Sequence, residues 1–436
     1  MLKSLLEKIT RYFVYLLLFL LPWQTRLILR PGNGWEYKTV GIFGTEILLW
    51  LILLLTVIFY LRHIKAVRKI DLRVLFFVVL AAINYWIVPD KWAVVQQLIH
   101  VLEAGLLFWF LIGGQINRLP AVYAFLGGLS LQVVLAIYQF LNQSTFASRL
   151  LGLTVHNSAM PGASVIENLD GRWLRAYGGL PHPNILAGYL ALGIVLIALV
   201  LQCFSVGRRG RLVLLADTVL LTMGLFFTFS RAAWLALFVS LLVYGFSGLK
   251  DKKIFQSFSF LILGIFIILS LIFAPLLITR VTAQGRLETI STSERIAGYS
   301  EAWQLLKKHP FFGVGAGNYT AAVYGELDSS RQSWTYQPLH NTWVLMLVEL
   351  GLVGILIILL ALLYIFKYSL FDVPYALVVL FIIIGLFDHY LWSLYSGLML
   401  LAVGAGLTSP PVQVQLVSPR HATKAEHDSG FIGREP

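Results

Sequence analysis

Runs of roughly twenty mostly apolar residues recur from near the start of this chain to about residue 408, and no other feature restricts its fold more. In a bilayer each run can cross as a helix, because an α-helix closes its backbone hydrogen bonds within the segment. Composition agrees: 58% of the 436 residues are hydrophobic and 12% are charged, far more apolar sequence than a water-soluble core needs. The expected fold is an all-α polytopic membrane protein. The runs predict about twelve spans, at 12–29, 41–61, 73–89, 93–114, 121–141, 184–206, 212–229, 231–248, 254–278, 341–366, 373–388 and 390–408. Lys3, Lys8 and Arg11 followed by an apolar run to Leu21 have the layout of a signal peptide. A small-x-small cleavage site is missing and the run continues through Pro22-Trp23, so a retained first helix is expected. The single cysteine, Cys203, excludes an intrachain disulfide and argues against a cysteine-based metal site.

The formal charge of +12 would suggest nucleic acid in a soluble protein. Here the basic residues cluster between apolar runs, where they anchor helices at the cytoplasmic face. Membrane lipids, and no nucleic acid, are the expected partners. The short basic loops are 62–69, Arg208-Arg209-Gly210-Arg211 and Lys250-Asp251-Lys252-Lys253. All fall on one side if the N-terminus is cytoplasmic. Residues 1–408 then form a transmembrane domain, with long loops at 142–183 and 279–340 and the Ser230-Arg231 turn facing outward. The Asp388-His389-Tyr390 break between the last two spans is short. The polar, proline-containing tail 409–436 is expected to be a disordered cytoplasmic end.

The second outer loop carries the densest polar signals. Ser291 and Glu294 have capping-box spacing, which predicts an amphipathic helix over 292–308 with Ile296, Tyr299 and Trp303 on one face and Leu306 continuing it. His309-Pro310 ends that helix. Arg295 falls in its first turn, where a cation is mildly unfavourable; it is either a solvated side chain or a ligand contact. Arg231 stands between two apolar runs with no acidic residue nearby. An arginine deep in lipid costs roughly 2.5–3.5 kcal/mol, so it must snorkel, pair or bind an anion. Arg172, Arg175 and Arg280 are further outer-facing candidates. Guanidinium groups suit phosphates through paired hydrogen bonds, and the alternative is headgroup anchoring.

His340 opens an apolar helix, where the dipole favours neutral imidazole; it is either a general base or a hydrogen-bonded cap. The segment Arg175 to Asn184 is rich in Gly and Pro and presents His182 and Asn184 at the interface, as a sugar-binding edge or as a rigid helix entry with Asn184 as N-cap. Gly313-x-Gly315-x-Gly317 reads as a tight turn, not a phosphate loop. Glu326 and Asp328 are not joined by further metal ligands nearby. His100 and Glu103 share a helical face and are expected to pair with each other, and Glu349 either faces a cleft or meets a partner in the bundle.

Taken together, several segments make the chain resemble the O-antigen ligase and polymerase family of polytopic glycosyltransferases. They are Phe229-Ser230-Arg231-Ala232-Ala233-Trp234, Ser293-Glu294-Arg295 with Tyr299, His309 to Tyr319, His340-Asn341-Thr342-Trp343 and Glu349-Leu350-Gly351, within a motif region of about 171–354. The resemblance implies inverting, metal-independent transfer of a glycan from a polyprenyl-pyrophosphate carrier, with no cofactor. It implies that Arg231 and Arg295 hold the pyrophosphate and that His340 activates the acceptor hydroxyl. Arg172, Arg175, His182, Asn184, Tyr299 and Asn341 are further candidate substrate contacts. The acceptor is a lipid A core or another surface lipid or glycan. The expected place is a bacterial cytoplasmic membrane, with the site outside and both termini inside. The competing expectations are polymerisation of lipid-linked repeats and transport of the lipid-linked sugar.

Overall fold

A computed structural model of the protein describes residues 2–32, 39–61, 72–88, 90–113, 116–168, 171–246, 249–282, 286–369 and 375–409. The basic segment 62–69 and the tail 410–436 lie outside the described residues.

The first half runs α1 (Leu2–Leu20), a hairpin of β1 (Arg26–Arg30) and β2 (Val40–Phe43), α2 (Gly44–Leu61), α3 (Leu72–Ile87), α4 (Lys91–Ile112) and α5 (Arg118–Asn142). A second hairpin, β3 (Val165–Asn168) with β4 (Gly171–Leu174), precedes α6 (Pro183–Cys203), α7 (Arg208–Phe227), α8 (Arg231–Phe246) and α9 (Lys252–Ile272). Then come α10 (Ala274–Thr282), α11 (Arg286–Lys308), α12 (Tyr319–Ala322), α13 (Thr342–Ser369), α14 (Tyr375–Phe387), α15 (Tyr390–Ser393) and α16 (Tyr395–Thr408). Among the described residues, α4, α5, α6, α7, α9 and the Thr342–Leu360 part of α13 are long and apolar enough to cross a membrane. Gly44–Val57, Arg231–Phe246, Tyr375–Phe387 and Tyr395–Thr408 are shorter apolar helices.

Helix α6 is the axis of the bundle, buried almost throughout and packed against α5, α7, α8, α9, α14 and α16. A second, smaller core gathers Ala302 and Leu305 of α11 with Val314, Tyr319, Leu339, Leu345 and Val348. The segment from α11 to the start of α13 is thus docked on α13 as a packed cap.

Several elements depart from the sequence reading. The first span stops at Leu20 instead of 29, because Pro22 cannot continue a helix and Arg26–Arg30 pairs with Val40–Phe43. The span over 254–278 divides after Ile272 and restarts at Ala274, with Pro275 in the first turn, where its missing N–H costs little. The last span divides at Leu394, whose backbone is extended. Helix α11 begins at Arg286, so Ser291 and Glu294 lie inside it and are not a cap; Ser293 Oγ bonds back to the carbonyl of Ile290 at 2.8 Å. Of the two placements open to this helix, on the membrane or against the bundle, the bundle contact is made by a face other than that of Ile296 and Trp303. Ala302 and Leu305 are buried, whereas Ile296 and Trp303 are 67% and 59% exposed. Small residues such as Gly298, seated against Leu339, let the helix approach its neighbour, and the large side chains are left outside.

The glycine motif has a structural role that its spacing alone does not reveal. Helix α13 is broken at Gly351, at φ 64° and ψ −176°. The break leaves unpaired backbone groups, which the segment before α13 satisfies. Val314 and Gly315 donate to the carbonyls of Val348 and Glu349 at 3.0 and 2.8 Å, while Leu352 and Val353 donate to those of Pro310 and Phe311, both at 2.9 Å. Glu349 completes the joint, accepting from the N–H of Gly317 at 2.7 Å and from Trp392 Nε1 at 2.7 Å. Glu349 therefore meets partners inside the bundle, and Gly313 to Gly317 form the turns that lock onto it. A Cβ at Gly351 would lie 2.4 Å from the Phe311 carbonyl oxygen. Gly351→Ala is expected to cost on the order of 2–4 kcal/mol, from left-handed backbone strain plus displacement of the crossing segment. Thermal unfolding in detergent checks it; an unchanged midpoint would show that the joint is not needed.

Candidate functional site

The chain reverses between α7 and α8 through Phe229, which is fully buried at φ 47°, a left-handed conformation uncommon outside glycine. This turn puts Arg231 at the first position of α8. Arg231 Nη1 donates to the carbonyl of Arg280 at 2.8 Å, and Arg280 Nε donates to the carbonyl of Phe229 at 3.2 Å, so the two side chains tie the end of α10 to the turn before α8. Arg295 reaches the same place from the middle of α11. Arg231, Arg280 and Arg295 line one cavity of about 270 Å³ with Asn184, Ser230, Ala232, Leu235 and Phe387. No carboxylate is among those lining residues. The volume lies just below the ~300–1,000 Å³ usual for small-ligand sites, so it suits a charged headgroup and not a whole glycan.

The wall beside this cavity is a polar network on buried loops. Arg175 is buried and spends its guanidinium on the Thr228 carbonyl at 2.6 Å, Ser164 Oγ at 2.9 Å and Asn184 Oδ1 at 2.6 Å. Asn184 Nδ2 donates onward to Asp388 Oδ2 at 2.8 Å. Asn184 can do this because it is not the N-cap of α6: His182 is, accepting from the Asn184 N–H through Nδ1 at 3.1 Å, with Pro183 following. Asp388 Oδ1 accepts from the His389 N–H at 2.8 Å and lies 3.9 Å from His340 Nδ1. The Asp388 carbonyl accepts from the N–H and Oγ1 of Thr342, at 3.0 and 2.7 Å, which fastens the end of α14 to the start of α13. Asn341 caps α13, its Oδ1 accepting from Trp343 and Val344, and its Nδ2 donates to Tyr299 Oη at 3.0 Å.

His340 is thereby freed from the capping duty that the sequence left open. Burial pushes its pKa below the ordinary value; the neighbouring Arg295 acts in the same direction, and Asp388 opposes both. It is neutral at pH 7. Burial resists ionisation of Asp388, but the imidazoles of His389, His340 and His182 and the Asn184 hydrogen bond outweigh it and hold the carboxyl below its usual range. The pair is a neutral base beside a fixed anion, an arrangement that accepts a proton and stabilises the imidazolium formed.

Of the residues named from the sequence, the structure brings Arg231, Arg295 and Asn184 to one cavity, joined by Arg280. His340 lies close enough to Arg295 to feel its charge, and Tyr299 and Asn341 hold the turn beside it. Arg175 and His182 support the wall from beneath. Arg172 lies apart on the second hairpin, bonded to the Ala159 carbonyl at 3.3 Å. Asp388 and His389 were read only as a break between spans. The available signal was two ionisable residues interrupting apolar sequence, a functional pointer by default in membranes. His340, Asp388 and His389 bring potential metal-ligand atoms within 4.8 Å of one another. Both Asp388 oxygens accept hydrogen bonds and His389 Nδ1 is 2.6 Å from Ser393 Oγ, whereas the buried His340 Nδ1 has no hydrogen-bond partner among the described residues. Glu326 and Asp328 diverge, the first to His309 and the second to Arg331.

Residues 217–359 match the family model described as O-antigen ligase, a span that contains Arg231, Arg295 and His340. No curated protein matches the chain.

Proposed function

We propose that this chain, which matches the O-antigen ligase family model over residues 217–359, is a membrane glycosyltransferase that moves a glycan from polyprenyl pyrophosphate to an acceptor hydroxyl. The observation that carries the reading is the cavity lined by Arg231, Arg280 and Arg295 beside the His340–Asp388 pair. The pyrophosphate of the donor sits among the guanidinium groups, and the glycan extends past His340. The acceptor oxygen bonds to the anomeric carbon from the face opposite the pyrophosphate, the bond from that carbon to the phosphate oxygen breaks, and the centre inverts. The acceptor proton passes to His340 Nε2, while Asp388 stabilises the imidazolium. Negative charge grows on the departing pyrophosphate, where the arginines already point; fixed cations of this kind require no metal at the leaving group.

The acceptor in the ligase reading is a lipid A core or another surface hydroxyl. In the polymerase reading it is a second carrier-linked glycan, and the same pocket serves both. The site faces the outside of a bacterial cytoplasmic membrane, with both termini inside. Purified protein given the carrier-linked glycan and each acceptor class separately is expected to release polyprenyl pyrophosphate and form product with one class. Release with neither, or retention of anomeric configuration in the product, would sink the reading. Orientation has its own check. In a Cys203→Ser background, Ser329→Cys is expected to react with an impermeant maleimide added to intact cells, and labelling only after the cytoplasmic side is opened would reverse the topology.

A further inference from the structure

A second cluster of ionisable side chains lies within the bundle, away from the arginine cavity. Glu46 stands in the first turn of α2, and His100 and Glu103 stand three residues apart on α4. They are 4%, 6% and 0% exposed. The sequence reading paired His100 with Glu103. In the structure His100 Nε2 lies 2.9 Å from Glu46 Oε1 instead, while Glu103 Oε1 accepts from Trp50 Nε1 at 2.6 Å. Even so, one ligating atom from each of the three residues comes within 4.8 Å of the others.

Charge balance makes this arrangement costly by itself. With both carboxylates ionised, these three buried groups remain net negative even if the imidazole is protonated, and a buried charge without a counter-charge is heavily penalised. Sharing a proton does not resolve it. Among the described residues Glu103 Oε2 has no hydrogen-bond partner, so a proton placed there has no acceptor and a charge placed there has no donor. A cation held by all three groups satisfies that oxygen and the charge together. Two carboxylates and one imidazole are ligands that zinc accepts readily, and a catalytic-type zinc site keeps a further position open to water. A cavity of about 250 Å³ reaches His100, lined by Gln96, Gln97, Ser393 and Ser396 together with Arg26 and the apolar Phe43 and Leu394. The surroundings are also fixed. Tyr395 stands 5.2 Å from the His100 ring and donates to Thr45 Oγ1 at 3.0 Å, and Trp50 holds Glu103; such outer partners orient ligands.

We infer that Glu46, His100 and Glu103 form a binding site for a divalent transition-metal cation, with zinc as the best-matched ion, that ties α2 to α4. The site takes no part in the transfer step proposed above, so it stands or falls separately. The test uses full-length protein in detergent, stripped with a chelator and titrated with Zn²⁺, with metal content measured by mass spectrometry and unfolding followed by heat. Wild type is expected to take one zinc per chain and to unfold at a higher temperature when loaded. The isosteric Glu103→Gln variant is expected to lose affinity by roughly a hundredfold or more, beyond the cost of losing an outer-shell partner. Glu46→Gln/Glu103→Gln is expected to bind none, while unfolding no earlier than stripped wild type because it no longer buries two like charges. His389→Ala is expected to bind zinc as wild type does. Absence of stoichiometric zinc in wild type, undiminished binding in the double variant, or loss of binding in His389→Ala would each overturn the assignment.

Discussion

Replacing His340 by alanine is expected to reduce kcat by about 10²–10⁴-fold, the usual contribution of a positioned general base, with little change in donor affinity. Its imidazole is partly exposed beside Asp388, and the cap of α13 is supplied by Asn341, so the helix start survives the change. The pH profile separates a base from a structural residue. The pKa of His340 lies below the ordinary 6.5, so wild-type activity is expected to persist as pH falls through 6.5 and to drop only at lower pH, when the imidazole takes up a proton. Neighbouring charges then act with opposite signs. Asp388 raises that pKa, so Asp388→Asn is expected to move the acid limb to still lower pH while lowering kcat. Arg295 lowers it, so Arg295→Ala is expected to move the limb upward. Limbs that stay fixed in both variants would remove His340 from the proton step.

Arg231→Ala is expected to lower kcat/KM by about 10²–10³-fold, comparable with removing one fixed donor from a developing anion. Arg295→Ala is expected to lose a similar factor, and the double variant more. The reason is geometric as well as electrostatic. Arg231 starts α8 with its guanidinium held by the Arg280 carbonyl, so in the proposed reaction it would meet the phosphate without reorganising. Lysine at 231 keeps the charge but loses the planar fork, and is expected to recover only part of the activity. Arg231 is exposed at a helix start, so its loss is not expected to shift the unfolding midpoint by more than about 1 kcal/mol equivalent, the scale of a surface contact. Full turnover in Arg231→Ala would leave the cavity without a role in the reaction.

Helices were the most legible level of the sequence, and their ends the least. Among the described residues most of the long apolar runs are helical through most of their length, the run at 12–29 only to Leu20, because lipid leaves a backbone no other way to pair its polar groups. Failures came where two local readings share one pattern. Ser291 and Glu294 have the spacing of a cap, but that spacing also fits a helix interior, and contacts beyond the segment decided for the interior. His182-Pro183-Asn184 held a clearer message, since proline prefers the first helical position and so points to the residue before it as the cap. For α11 the sequence left open whether its large apolar side chains lie on the membrane or against the bundle, and tertiary contacts decided it. Where helices pack closely, small residues often mark the contact, as Gly298 and Ala302 do here.

The sequence by itself determined that this chain is a bundle of apolar helices, marked Arg231 as a charge that must snorkel, pair or bind an anion, and offered Arg295 and His340 as candidates beside it. Their motifs also pointed to the family that the match over 217–359 supports. It could not say that Arg231 and Arg295, on different elements, share a cavity with Arg280, nor that Asp388 stands behind His340. Those facts depend on how α8, α10, α11, α13 and α14 pack. Hydrophobic pattern carries little information about packing between helices, because a lipid-facing side and a helix-facing side are both apolar. Tertiary structure chose the neighbours through backbone joints such as Gly351 with Phe311 and Thr342 with Asp388, and those joints set where the charges meet.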